Sequence, residues 1–209
     1  PAGLEAQLGK ESFAIMERLY LSPSLLPVTR QQSLIRQFAK HCQQQSCPPY
    51  ILHFRNSRAM GANAFALPGG AIVVTDKLVT LAQHDEEVLA VIAHELGHIE
   101  GRHSLRLALQ SAGAGVLLVA ITGDIGNFSD LAAGLPSLLL QSGYSRDMER
   151  EADGFALRWL HGACIPARRF ADLLQRIAPD TAGGDSNLLS SHPGSAARIQ
   201  PFLTAQGCP

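Results

Sequence analysis

Ala93-His94-Glu95-Leu96-Gly97-His98 is the stretch on which the reading of this chain turns. It has the form H-E-x-x-H and sits among Val91, Ile92 and Ile99, so the pattern predicts one long helix over 85–110 with an apolar body. Asp85 is the expected N-cap, and Glu86 and Glu87 suit the positive end of the helix dipole. On that helix His94 and His98 lie one turn apart on one face. Two neutral imidazoles so placed can each bind one zinc ion at about 2.0–2.1 Å. Glu95, next to the first histidine, is then placed to take a proton from water held by the metal, whose pKa zinc brings toward ~7. The competing reading is a surface helix with two ordinary histidines. It fits the apolar surroundings poorly, because buried imidazoles without partners are costly.

Catalytic zinc takes three protein ligands and leaves a fourth place for water. A third histidine continuing the helical pattern would fall at position 104, which is Ser104; His103 is one residue early, about 100° around the helix, and reads as a decoy. The dense acidic cluster runs from Tyr144 to Asp153, on a helix predicted over 145–161. Glu149 and Asp153 are four apart and share a face. Glu149 can supply a carboxylate ligand, and Asp153 can accept a hydrogen bond from the outer N–H of a ligand histidine, fixing its tautomer. Glu151, about 200° around from Glu149, is the alternative ligand. Without a metal, the cluster reads as a solvated face on which Arg146 and Arg150 pair with the acids.

Outward from these motifs, residues 4–20 and 29–45 read as amphipathic helices and 50–54 as a strand. Asn63 to Gly70 reads as an extended stretch ending in a tight turn, and 71–75 as a β-branched strand that completes a hairpin. Further helices are expected over 166–178 and 194–205, with a loop over 180–187. This order implies an α+β fold, mainly helical, with a small antiparallel sheet. The apolar runs 112–123 and 131–140 are each too short to span a bilayer. They read either as core-facing helices or as a hydrophobic hairpin touching a membrane or partner. The expected organisation is a single domain over 1–209: N-terminal helices (1–48), sheet and H-E-x-x-H helix (50–110), apolar segment (111–142) and closing helices (143–209).

Composition narrows the class. Of 209 residues, 46% are hydrophobic, which excludes a disordered chain. Charged residues are 17%, below the usual quarter, which suggests surface given over to a partner, a membrane or a missing segment. The net charge of −1 argues against a nucleic-acid binder. Cys42, Cys47, Cys164 and Cys208 form no C-x-x-C pair; read as the disulfides Cys42–Cys47 and Cys164–Cys208, they imply an oxidising compartment. The start at Pro1-Ala2-Gly3 suggests a processed form, with a signal, lipid anchor or membrane segment upstream.

His94-Glu95-x-x-His98 followed by Ser145-Arg-x-x-Glu149-x-x-Ala152-Asp153 resembles the gluzincin family 48 of the metallopeptidases, which includes HtpX, the CAAX prenyl proteases and the envelope proteases BepA and LoiP. Asn63-Ala-Phe-Ala-Leu-Pro-Gly-Gly70 with the strand after it is similar to that family's active-site edge strand, and Ser191-His192-Pro193 with Arg198 to its C-terminal element. The resemblance implies a metalloprotease fold with one zinc ion per chain, held by His94, His98 and Glu149, with Asp153 behind a histidine. It also implies Glu95 as general base and a peptide laid along the strand edge at Asn63, Ala64, Ala71, Ile72 and Val73. His192 and Arg198 are candidates for donors to the reacting carbonyl. Alternatively His192 fills the open zinc position and holds the enzyme latent, and Arg198 is a structural ion pair to Asp153 or Glu149. The chain lacks the family's transmembrane helices, which moves the likeness toward the envelope members and toward unfolded or misassembled proteins as substrates. His41, His53, His84 and His161 read as ordinary histidines. Two other functions stay open: a chaperone or assembly factor on the same fold, and a structural zinc protein, against which an intact Glu95 argues.

Overall fold

The computed structural model describes residues 2–112, 126–141, 143–177, 188–192 and 196–206. The chain opens with α1 (Ala2–Leu19), β1 (Ser22–Pro23) and α2 (Val28–Gln44). Then come β2 (Ile51–Asn56), β3 (Ala64–Ala66), a turn over Pro68–Gly70 and β4 (Ala71–Thr75). The helices α3 (Asp76–Leu81), α4 (Asp85–Glu100), α5 (His103–Ala112) and α6 (Gly126–Gln141) follow. The described chain closes with α7 (Arg146–Gly162), α8 (Arg168–Ile177), α9 (Leu188–Ser191) and α10 (Ala196–Thr204). The fold is mainly helical α+β, as the sequence predicts.

The sheet order is β1-β2-β4-β3. β4 buries side chains on both faces: Ile72 and Val74 join the core around α4, while Val73 joins Leu8, Met16 and Phe65 on the α1 side. This two-faced burial is the physical reason for its unbroken apolar sequence. The sheet is mixed rather than antiparallel, because β2 runs parallel to β4 (Ile51 opposite Ala71) while β3 runs antiparallel to it (Phe65 opposite Val73). Both flanks of β4 are therefore occupied. Ala71, Ile72 and Val73, expected along a substrate-accepting edge, lie in an interior strand; β3 is the outer strand on that side.

The predicted helix over 85–110 is two helices. It breaks at Gly101–Arg102, where Arg102 takes φ 51°, and restarts as α5. The N-cap of α4 is His84 rather than Asp85. Asp85 binds Arg30 and Gln37 on α2, each at 2.6 Å. α4 is buried almost all round from Glu87 to His98, which makes it the central helix of the fold. α7 starts at a Ser145 cap whose hydroxyl accepts from the Met148 amide at 3.3 Å. Of the apolar run 131–140, Ala132, Leu135 and Leu139 are buried in the core with α1 residues; the run 112–123, apart from Ala112, lies outside the described residues. No helix of the described residues is long and apolar enough to cross a membrane. Cys42 and Cys47 form a disulfide and Cys164 is also disulfide-bonded; Cys208 lies outside the described residues.

Candidate active site

Four elements meet at the buried centre. α4 brings His94, Glu95 and His98; α7 brings Glu149 and Asp153; the end of α9 brings His192; α10 brings Arg198. The α4–α7 approach depends on Gly97. A Cβ there would stand 2.8 Å from Ala152 Cα and 2.9 Å from its carbonyl oxygen, so the two helices touch backbone to backbone. That close packing sets Glu149 opposite the histidine pair.

The Nε2 atoms of His94 and His98 lie 3.0 Å apart, and each is 3.5 Å from an oxygen of Glu149. His192 Nδ1 is 3.2 Å from His94 Nε2 and 3.0 Å from Glu149 Oε1. Atoms of His94, His98, Glu149 and His192 thus converge within 4.8 Å of one another, and all four residues are buried. Outside them, His94 Nδ1 is 3.0 Å from Asp153 Oδ1. Arg198 donates to both Asp153 oxygens at 2.8 and 2.7 Å, sits 2.6 Å from Glu149 Oε2 and donates to the His192 carbonyl at 3.2 Å. The Tyr144 ring stacks on His98 (centroids 3.9 Å apart) and Phe170 on His94 (5.2 Å), fixing both imidazole planes.

Charge is unevenly balanced here. Glu95, Glu149 and Asp153 are buried carboxylates, and Arg198 is the guanidinium that meets Glu149 and Asp153. With the carboxylates ionised and the imidazoles neutral, a divalent cation among them would balance the negative charge that Arg198 leaves. Burial pushes the Glu95 carboxyl up, against the pull of His192 and His94. Burial likewise works against charge on His94, but Asp153 and Glu149 outweigh it and hold this imidazole up to about 9. Glu149 is held far below the usual carboxylate range: burial raises it, and His192 and His94 more than reverse that. Burial and the neighbouring imidazoles lower His98 well below its ordinary value. Neither Glu95 oxygen has a well-formed hydrogen bond among the described residues, although the residue is 0% exposed. A buried carboxylate whose Oε1 has His192 Nε2 near it, at 3.3 Å, beside convergent imidazole and carboxylate donors, fits a metal ion such as zinc.

The structure brings His94, Glu95, His98, Glu149, Asp153, His192 and Arg198 into one cluster. Glu151 does not join it; it is half exposed and bonds His103 Nε2 at 2.8 Å. Asn63 and Ala64 lie at the outer strand. Asn63 is fully buried, its Oδ1 accepting from the Ala64 amide (2.8 Å) and from Ser191 Oγ (3.2 Å), while its Nδ2 has no partner among the described residues. The Ala66 carbonyl accepts from Ser104 Oγ at 2.6 Å and Tyr144 OH at 3.3 Å. Spacing alone does not reveal Tyr144, Ser104 or Phe170, whose roles arise from packing between distant segments. His103 is visible in the sequence, but it is set aside there on the assumption of an unbroken helix.

The profile of peptidase family M48 matches residues 27–205. The chain is 31% identical over 153 residues to the metalloprotease LoiP of Escherichia coli, covering 71% of this chain and 60% of that protein. It is 30% identical over 158 residues to the mitochondrial metalloendopeptidase OMA1 of Saccharomyces cerevisiae (71% of this chain, 45% of that one). It is 24% identical over 151 residues to the β-barrel assembly-enhancing protease of Yersinia pestis (66% and 31%). The chain thus spans between about a third and three fifths of the length of these curated relatives.

Proposed function

The chain belongs to peptidase family M48, and on that premise we propose that it is a zinc-dependent endopeptidase acting on unfolded or misassembled proteins of the cell envelope. The observation that carries the reading is Glu95: a wholly buried carboxylate without a well-formed hydrogen bond, beside His94, His98 and Glu149. In this reading those three residues hold the zinc. Bound there, zinc would acidify a water molecule and polarise the peptide carbonyl. Glu95 takes the proton from water and passes it to the leaving amine, and its raised pKa suits both steps. Asp153 holds His94 in the tautomer that leaves Nε2 free, and Arg198 holds Asp153 and Glu149 in place. An extended peptide would pair with the outer side of β3, where the Ala66 carbonyl and the Asn63 side-chain Nδ2 offer a hydrogen-bond acceptor and donor. Such pairing displaces Ser104 and Tyr144 from Ala66. The Cys42–Cys47 disulfide supports an oxidising compartment, and the names of the relatives from E. coli and Y. pestis support protein substrates.

A specific observation favours a second role for His192. Its Nδ1 lies among the other donors, 3.0 Å from Glu149 Oε1, where it fills the fourth place around the site. In this arrangement His192 holds most molecules latent and must withdraw before water and substrate enter, so wild type cuts only from the fraction in which it has withdrawn.

The test is digestion of reduced casein by zinc-loaded protein, followed by mass spectrometry. Wild type should produce fragments, a chelator should stop them, and Glu95→Gln should cut about 10²–10⁴-fold more slowly. Fragments at an equal rate from Glu95→Gln would overturn the assignment of Glu95 as the base.

A further inference from the structure

His103 is completely buried, yet its polar atoms are both engaged. Nδ1 lies 2.9 Å from His98 Nδ1, and Nε2 lies 2.8 Å from Glu151 Oε2. Glu151 reaches the surface, where Arg106 donates to the same oxygen at 2.9 Å. On an unbroken helix His103 would sit about 140° around from His98. The break at Gly101–Arg102 turns it back beneath the second histidine of the motif. Gly101 makes room for it: a Cβ at that position would stand 2.1 Å from His103 Nε2.

The tautomers in this chain are fixed by chemistry. If His98 is to offer Nε2 as a ligand, its proton must sit on Nδ1. The His103 Nδ1 facing it must then be a bare acceptor, so the His103 proton sits on Nε2 and is donated to Glu151. Each link has one consistent direction, ending on a carboxylate that Arg106 also holds in place. His94 is backed directly by the carboxylate of Asp153; His98 is backed by a neutral imidazole with a carboxylate behind it.

Resting on the reading of His98 as a metal ligand, we propose that His103 is a positioning residue: with Glu151 and Arg106 it forms an outer relay that fixes the ligand tautomer of His98 and so sets how firmly the site retains zinc. Glu151→Ala removes an exposed carboxylate, which contributes little to folding stability on its own. His103→Leu removes the acceptor and keeps apolar bulk. His103→Asn restores an acceptor oxygen close to the position of Nδ1.

The experiment measures zinc transfer from loaded protein to a chromogenic chelator, without substrate. The visible absorption of the cobalt-substituted forms and the thermal midpoint of each apoprotein are recorded alongside. The relay predicts zinc retention weakened about 10–100-fold in His103→Leu, largely recovered in His103→Asn and reduced to a smaller degree in Glu151→Ala. It also predicts an altered cobalt spectrum for His103→Leu and an apo midpoint for Glu151→Ala that matches wild type. Retention equal to wild type in His103→Leu would overturn the relay while leaving the metal reading intact. So would His103→Asn being as weak as His103→Leu, since His103 would then serve only to fill space. Wild-type protein that takes up no zinc would overturn both.

Discussion

Glu87 shows how a single buried side chain can be tied to the rest of the molecule. It is 1% exposed, receives 2.7 and 3.2 Å hydrogen bonds from Arg176 and accepts from the Gln83 amide at 2.8 Å. Burial raises its pKa, but Arg176 and the Gln83 amide more than offset this and leave it below its ordinary 4.5. A depressed carboxylate contributes stability that is present above the unfolded pKa and is lost as pH falls through the folded one. Glu87→Gln should therefore cost about 1–3 kcal/mol at pH 7. The gap in thermal midpoint between variant and wild type should narrow as pH drops below 4.5. A gap constant from pH 7 to 3 would show that the ion pair is not the source. At this scale the sequence is informative where the chemistry is local. His94, Glu95 and His98 declare themselves because i and i+4 share a face, and Glu149 and Asp153 do so by the same rule. His103 does not, since its partnership with His98 depends on Arg102 adopting φ 51°, and Gly101, though a poor helix former, does not show where the chain turns next.

At the scale of elements, the contact between α4 and α7 decides whether the site exists. Gly97 is a point of close approach, with Ala152 backbone inside 3 Å of where a Cβ would lie. Gly97→Val must push the helices apart. It should cost about 1–3 kcal/mol, seen as a thermal midpoint lower by several degrees, and separate Glu149 from the histidine pair, seen as weakened zinc retention. Unchanged retention would mean that Glu149 is not held by this contact. Helix positions were largely readable from periodicity, and the β3–β4 hairpin from its tight turn, where Gly69 and Gly70 adopt positive φ. The parallel pairing of β2 with β4 was not. Strand order is set by which faces must be covered on both sides, and a short apolar strand such as Ala71–Thr75 reads the same in the middle of a sheet as beside it. The outer strand on that side is therefore β3.

For the whole molecule, the segment Leu188–His192 joins regions far apart in the chain. The Leu188 amide donates to the Ala62 carbonyl at 3.0 Å, Ser191 Oγ donates to Asn63 Oδ1 at 3.2 Å, and the Ser191 carbonyl accepts from the Tyr144 amide at 3.3 Å. The approach to β3, the buried histidines and the start of α7 are thus fastened together by one short stretch that ends in His192. Under the latency proposed above, release of the segment would open the fourth position and the outer side of β3 at once. The most direct test is the initial rate of casein cleavage by zinc-loaded wild type, His192→Ala and the double variant Glu95→Gln/His192→Ala. His192→Ala should cut faster than wild type, and the double variant should be nearly silent with zinc still bound. Equal cutting by the double and single variants would contradict hydrolysis at this site, as would silence from His192→Ala while it retains its zinc.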